Sequence, residues 1–393
     1  MCIRDRSFSD PYKDARVFKL DVIDMAQTHI YGLKDPGSKI YEISRHKLNA
    51  VQKPHILGEY GIDAFDDFIK SGRDKEGVSV QDGIWGGVFS MSAGTPMPWY
   101  WDDYVDPNNL YYHFWTLKEF IRHIDWPREE FDVIKNRLVY YKDTKGKKTG
   151  DAVIYPSDAW TRAQKNKFLV TRMGEVTDSE YFTGYLFGSG HADMKNDPVI
   201  VVKNESPARM KIHVSGVSHE NFLAVNINGT DALGVTLNAE GMKTAEYKEE
   251  WKIYQAAADI VIEAGIPRGD NEVIIENRGL DWIRIKEIRF EGVVNPDVAP
   301  VFAAGVQGPR SAYIWLKNRT YTLDKRDPEK ITGACIDIAG LDSGRYNIEI
   351  YDIENAQIIR KYEEIAEIDP ITVELPEFER SLAVKVYRYG VVR

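Results

Sequence analysis

The sequence is poor in cysteine and has no long apolar run. Its 393 residues include only two cysteines, Cys2 and Cys335, which excludes a disulfide framework and a zinc site made of four cysteines. No window approaches the roughly 18 consecutive apolar residues of a membrane-spanning helix, so we expect no membrane span. The first residues also lack the apolar stretch of a signal peptide.

Positively charged residues are fewer than negatively charged ones. The chain has 51 Lys and Arg against 61 Asp and Glu, giving a net charge of −10, and no basic stripe stands out. Nucleic acid is therefore not an expected partner. Hydrophobic residues make up 43% and charged residues 28%, which is ordinary globular composition, and the length predicts two or three domains.

Residues 7–126 alternate between strand-like and helix-like segments, a pattern that indicates parallel βαβ units. The helix-like segments carry apolar residues at helical spacing, whereas the strand-like segments are short apolar runs. The predicted strands are Ala26–Tyr31, His55–Gly58 and Val80–Ser90, and the predicted helices are Ser38–Val51, Gly61–Gly72 and Leu110–Ile124.

The character of the chain changes after Pro127. We interpret residues 127–150 as a linker and residues 151–295 as a jelly-roll β-sandwich, because short β-rich runs alternate there with turn signals such as Asn228-Gly229. Residues 301–393 again consist of short strands and turns, which is typical of an immunoglobulin-like β-sandwich. The predicted fold class is thus α/β followed by all-β.

The stretch most informative about chemistry is residues 53–61, Lys-Pro-His-Ile-Leu-Gly-Glu-Tyr-Gly. A short apolar strand here delivers the carboxylate of Glu59 at its carboxyl end. This pattern resembles the seventh barrel strand of clan A glycoside hydrolases, the clan that includes cellulases and mannanases. The resemblance implies a (β/α)8 barrel, of which residues 7–126 would be the C-terminal part, and assigns Glu59 the role of nucleophile.

Flanking segments extend the resemblance. His29 and Tyr31 match the His-x-Tyr of the sixth strand, where the Tyr hydrogen-bonds the nucleophile, and Trp85 matches the sugar-stacking Trp of the eighth strand. Residues 90–104 resemble a bacterial subgroup that also carries C-terminal β-sandwiches, one of them named for collagen binding. In that subgroup an Ala-Gly-Thr segment leads to a Trp-x-Trp-Asp cluster, which implies substrate contact by Trp99, Trp101 and Asp102.

The family's acid/base residue has no counterpart in this sequence. In clan A a Glu follows an Asn at the end of the fourth strand, whereas the only Asn-Glu pairs here, at 204–205 and 271–272, lie in the β-rich region. Residues 7–126 are also too few for a barrel of ~250 residues, and Met1–Arg6 resembles a translated sequencing-adapter remnant. We therefore expect the natural protein to extend upstream and this chain to be inactive.

The resemblance implies an intact retaining glycosidase that acts on polysaccharide or oligosaccharide, without cofactor or metal, secreted or located in the periplasm or at the cell surface of a bacterium. Two carboxyl groups would carry the reaction. Alternatives stay open. The second interpretation of Glu59 is a solvated residue at a strand end, and Tyr247, Trp251 and Trp282 form either a sugar platform or packing contacts. The rival function is a non-catalytic carbohydrate- or matrix-binding protein that uses its two β-sandwiches.

Overall fold

A computed structural model describes residues 5–8, 15–62, 72–127, 129–157, 160–323, 325–366 and 370–389. Strands predominate, at 45% against 15% helix. The described chain divides into two compact units: unit 1 comprises residues 1–143 and 299–393, and unit 2 comprises residues 144–298. No described helix is long and apolar enough to cross a membrane.

Helices among the described residues are few and lie mainly in unit 1. The α-helices are α1 (Ala15–Phe18), α2 (Pro36–Val51), α3 (Val78–Phe89) and α4 (Tyr112–Ile121). A π-helical turn spans Trp101–Val105, and single 3₁₀ turns span Ser179–Tyr181, Ser189–His191 and Ala239–Gly241.

Unit 1 contains three sheets. A parallel sheet has the order β1-β2-β3, with β1 (Asp5–Phe8), β2 (Met25–Ile30) and β3 (His55–Tyr60). An antiparallel sheet of six strands has the order β21-β20-β23-β18-β17-β4, and one of three strands has the order β22-β19-β5. Their bounds are β4 (Asp132–Val133), β5 (Val139–Tyr141), β17 (Val301–Gln307), β18 (Ser311–Asn318), β19 (Ala334–Ile338), β20 (Gly344–Asp352), β21 (Gln357–Ala366), β22 (Ile371–Glu374) and β23 (Ser381–Arg388).

The two antiparallel sheets of unit 1 share a core, and helices cover the outer face of the larger sheet. Ile336 of β19 and Ile348 of β20 belong to the core between the sheets. On the outer face, Trp85 and Phe89 of α3 pack with Trp315 of β18. Strands β4 and β5, which come from the segment interpreted as a linker, pair with β17 and β19.

Unit 2 is a sandwich of two sheets. One has the order β13-β14-β10-β16-β6, with β8 also paired to β16, and the other has the order β12-β11-β15-β9-β7. Buried residues of both sheets, such as Ile212 and Val225, form one core. The bounds are β6 (Gly150–Ile154), β7 (Lys167–Val170), β8 (Tyr185–Phe187), β9 (Val199–Asn204), β10 (Ala208–Ser218), β11 (Glu220–Ile227), β12 (Thr230–Asn238), β13 (Ala245–Lys248), β14 (Ile253–Ile266), β15 (Gly269–Asn277) and β16 (Trp282–Val294).

The structure contradicts the predicted fold class. Helices are too few for part of a (β/α)8 barrel, and the described chain is mostly antiparallel β-structure. The segment Val80–Ser90, predicted as the eighth barrel strand, lies almost entirely in helix α3. When a short apolar run is buried on all sides, its hydrophobic pattern has no period, so the pattern does not distinguish a strand from a buried helix. The predicted helix Gly61–Gly72 falls mostly on residues 63–71, outside the described residues.

Candidate functional site

Glu59, His29 and Tyr31 come together at the carboxyl ends of β2 and β3. The two strands are parallel neighbours, and His29 pairs in register with Glu59. The Nδ1 atom of His29 lies 3.0 Å from Oε2 of Glu59, and the hydroxyl of Tyr31 donates a hydrogen bond to the same oxygen. The contact between Tyr31 and Glu59 that the resemblance implied is thus present.

The electrostatics of this cluster keep Tyr31 protonated. Partial burial raises the pKa of its hydroxyl above the ordinary value, and the hydrogen bond to the carboxylate of Glu59 raises it further. A neutral phenol can only donate to a carboxylate. The Tyr31 hydroxyl therefore holds one oxygen of Glu59 in the same orientation throughout the physiological pH range.

Residues 93–99 hydrogen-bond to the edge of β3 that lies opposite β2. The backbone N–H of Ala93 donates to the His55 carbonyl at 2.8 Å, and that of Trp99 donates to the Tyr60 carbonyl at 2.9 Å. The side chain of Trp99 is 48% exposed, so it is accessible to a ligand.

The remaining predicted contact residues differ in their placement. Trp101 is 57% exposed, and Asp102 is exposed with its Oδ1 accepting from the backbone N–H of Asp103. Trp85 is fully buried in α3, against Phe89 and Phe120, so the prediction that it stacks on a sugar is wrong. A side chain without exposed surface cannot contact a ligand.

A second group of candidate binding residues lies in unit 2 and was only partly predicted from the sequence. A cavity of about 630 Å³, here called the aromatic pocket, lies among the turns at one end of the sandwich. Its aromatic walls are Trp160, Tyr185, Trp251 and Trp282, with Trp160 approaching Tyr185 edge-on at 4.9 Å between ring centroids. The other lining residues are Gly190, His191, His219, Ile253, Gln255, Leu280 and Asp281.

Polar groups are held in place at the floor of the aromatic pocket. Nε2 of His191 lies 2.6 Å from Oδ1 of Asp281, and the Ser218 hydroxyl donates to Oδ2 of Asp281 at 2.5 Å. Buried Asn221 and Asn277 bond to each other at 2.8 Å, and Asn221 Oδ1 accepts the backbone N–H of Asp281 at 3.1 Å. This network fixes the orientation of the Asp281 carboxylate.

The sequence signals for the aromatic pocket were incomplete. Of the proposed sugar platform, Trp251 and Trp282 line the pocket, whereas Tyr247 lies on β13 and packs edge-on against Tyr254 at 5.1 Å. Trp160 and His191 had no local signal, because their neighbours in the pocket come from distant parts of the chain. In the part of the chain that the structure describes, no group of three or more His, Cys, Asp or Glu side chains could hold a metal ion.

The similarity of this chain to known proteins is distant. No family model matches the chain, and no curated protein matches it. A cycloisomaltooligosaccharide glucanotransferase from Paenibacillus sp. is similar at 7% identity and a TM-score of 0.27; the match covers 97% of this chain and 55% of that chain. A family 35 carbohydrate-binding module from Cellvibrio japonicus is similar at 15% identity and a TM-score of 0.20, covering 44% of this chain and 97% of the module.

The catalytic domain of a GH87 α-1,3-glucanase is similar at 12% identity and a TM-score of 0.18, covering 44% of this chain and 30% of that chain. Scores this low carry no argument about function. The chain also spans only about half of the glucanotransferase, so the activity of a larger protein cannot be transferred from it.

Proposed function

We propose that this chain binds carbohydrate, and that the aromatic pocket of unit 2 is the binding site. The observation that carries this proposal is the combination of four aromatic walls with the fixed carboxylate of Asp281. Sugars present apolar C–H faces and hydrogen-bonding rims, so rings and oriented polar groups bind them together. The cavity volume also lies within the usual range for small-molecule sites.

The ring surfaces are available to a ligand. Trp160 is 47% exposed and Trp251 is 56% exposed, although both belong to a well-packed sandwich. Exposing such rings costs free energy in water unless a ligand covers them. Asp281 retains acceptor capacity, since a carboxylate accepts at about four positions and two of its contacts are with Ser218 and His191.

The test is affinity electrophoresis of the full chain through gels containing soluble plant or algal polysaccharides. We expect retardation by at least one polysaccharide, and we expect Trp160→Ala and Trp251→Ala to weaken it by about tenfold or more, which corresponds to about 1.4 kcal/mol. Tyr247→Ala is the matched control, because it removes a half-exposed ring of the same unit outside the pocket. Equal losses in all three variants, or no retardation, would contradict the proposal.

A second candidate function, retaining glycoside hydrolysis, is favoured by the Glu59 cluster. Tyr31 and His29 hold Oε2 of Glu59, which leaves Oε1 as the nucleophilic oxygen. This candidate concerns the cluster alone and does not depend on a barrel. Like the first, it places the protein where polysaccharides occur, outside the cytoplasm.

The hydrolase candidate makes a two-part prediction. The 393-residue chain does not turn over glycosides whose leaving group needs a proton, because residues 7–126 contain no Asn-Glu pair for the acid/base, whereas a dinitrophenyl glycoside, whose leaving group needs no acid, releases dinitrophenol in a burst that is lost in Glu59→Gln. Release of dinitrophenol by the wild-type chain and by Glu59→Gln checks this. A burst that survives Glu59→Gln would exclude Glu59 as the nucleophile.

A further inference from the structure

Strand β21 forms an outer edge of the six-stranded sheet in unit 1. It pairs with β20 on one side, and no other described strand pairs with its opposite edge. Almost all of its residues are exposed, including Ile359 and Ile365, which are each about half exposed. An edge strand presents a row of backbone N–H and C=O groups that another strand can pair with.

The charges of β21 change from positive to negative at Tyr362. Arg360 and Lys361 precede this residue, and Glu363 and Glu364 follow it. In an antiparallel pair of two identical strands with Tyr362 opposite Tyr362, Lys361 lies opposite Glu363 of the other copy. Arg360 then lies opposite Glu364, so every charged residue of the segment faces the opposite sign.

Other registers lose this complementarity. Moving the two-fold axis by one residue places Lys361 opposite Lys361, or Glu363 opposite Glu363. Parallel pairing in register likewise sets each charge beside its own kind. Like charges directly opposite in a sheet are destabilising, and charges of one sign along an edge protect it from pairing. The inverted pattern of β21 instead specifies a single antiparallel register.

The backbone geometry is compatible with such a pair. The ladder with β20 is regular from Arg360 to Ala366 and shifts only beyond Arg360, so the charged segment itself is free of irregularity. The side chains of Lys361 and Glu363 contact Glu349 at 2.9 Å and Arg345 at 3.6 Å, both on β20. Since an ammonium has three donors and a carboxylate about four acceptor positions, both can take a further partner across the edge.

We propose that a second copy of this chain docks on β21 by antiparallel pairing centred on Tyr362, so that the two six-stranded sheets become one continuous sheet. The contact is isologous: each copy presents the same segment, and the two-fold axis repeats each charge pair. This association is independent of the proposed carbohydrate binding, because unit 2 contributes none of its residues.

The test uses single charge reversals that leave the contact between Lys361 and Glu349 intact. In a dimer of Arg360→Glu, positions 360 and 364 of the two copies are four carboxylates that face each other. In a dimer of Glu364→Lys, the same four positions are cations. Sedimentation equilibrium of the full chain at low salt should show a concentration-dependent dimer, and each variant should weaken it by about tenfold or more. High salt should weaken the wild-type dimer as well.

Two complementary measurements separate repulsion from misfolding. An equimolar mixture of Arg360→Glu and Glu364→Lys should form a heterodimer, because all facing charges are then opposite. The double variant R360E/E364K should dimerise again by itself, with the net charge of the wild type. A wild-type protein that stays monomeric throughout the concentration series, or reversals without effect on the dimer, would overturn the proposal.

Discussion

Gly188 and Gly190 support the aromatic pocket by the absence of their side chains. The backbone N–H of Gly188 donates to the Asp281 carbonyl at 2.6 Å, and that of Gly190 donates to the Leu280 carbonyl at 2.7 Å. A Cβ atom on Gly188 would lie 2.5 Å from the carbonyl oxygen of Gly279, closer than van der Waals contact permits. The Gly-Ser-Gly segment is therefore explained by backbone packing, which places His191 against Asp281.

Gly188→Ala should destabilise unit 2 and weaken polysaccharide retention together. The expected loss is about 1–3 kcal/mol, as for other overpacking substitutions. Gly265→Ala on β14 is the control, because no atom lies within 4 Å of its Cβ position, and surface changes of this kind cost under about 0.5 kcal/mol. Urea denaturation of both variants checks this, and equal midpoints would refute the packing argument.

Asp74 lies four residues before the start of helix α3, and its carboxylate binds several partners. Both carboxylate oxygens of buried Asp74 accept backbone N–H groups of the first turn, from Val78 and Ser79, each at 3.0 Å. The same carboxylate accepts from Arg326 at 2.9 Å and from the Tyr104 hydroxyl at 2.6 Å. One side chain thus caps the helix and ties it to a distant part of unit 1.

Asp74→Ala should lower the free energy of unfolding of unit 1 by roughly 3–5 kcal/mol, because it removes a cap and leaves Arg326 without its buried partner. Glu76→Ala is the matched control, since Glu76 also approaches Arg326, at 3.9 Å, but is 75% exposed. Exposed ion pairs contribute about 0–1 kcal/mol. Thermal unfolding of the two variants tests this, and similar losses would show that Asp74 does not hold the helix.

At the scale of the whole molecule, buried histidines couple the stability of unit 1 to pH. Burial lowers the pKa of His55 to about 3 and that of His113 to about 4. Both rings are almost completely buried, and His55 contacts the Thr28 hydroxyl at 2.8 Å. In the unfolded chain both histidines return to a pKa of about 6.5. The unfolded state therefore binds more protons than the folded state between these values.

Stability should accordingly be full above about pH 6.5 and fall as the pH decreases toward 4. One pKa unit corresponds to about 1.4 kcal/mol, so each histidine should remove roughly 2–3 kcal/mol by about pH 4.5. His113→Asn should flatten this dependence while lowering stability at neutral pH. Urea midpoints of wild type and variant across the pH series check this, and parallel curves would exclude His113 as a source.

Local sequence was sufficient where a contact forms between neighbouring elements. Strands β2 and β3 follow from short apolar runs that end in polar residues, and the resemblance to the sixth and seventh barrel strands of clan A implied that Tyr31 contacts Glu59. Parallel neighbours place side chains of matching register on the same face. The β-sandwich content was likewise visible in the frequent turns and short strands.

Long-range packing determined the rest. The run around Trp85 became a helix because Asp74 caps its start and because Trp315, far along the chain, covers its buried face. The aromatic pocket likewise brings together Trp160 and Trp282, which lie far apart in the sequence. Hydrophobic burial has no direction along the chain, so an apolar run alone does not reveal which partner it will meet. Local sequence therefore predicted strands and turns, and the family resemblance implied the contact between Tyr31 and Glu59, whereas the helix at Trp85 and the pocket depended on tertiary contacts.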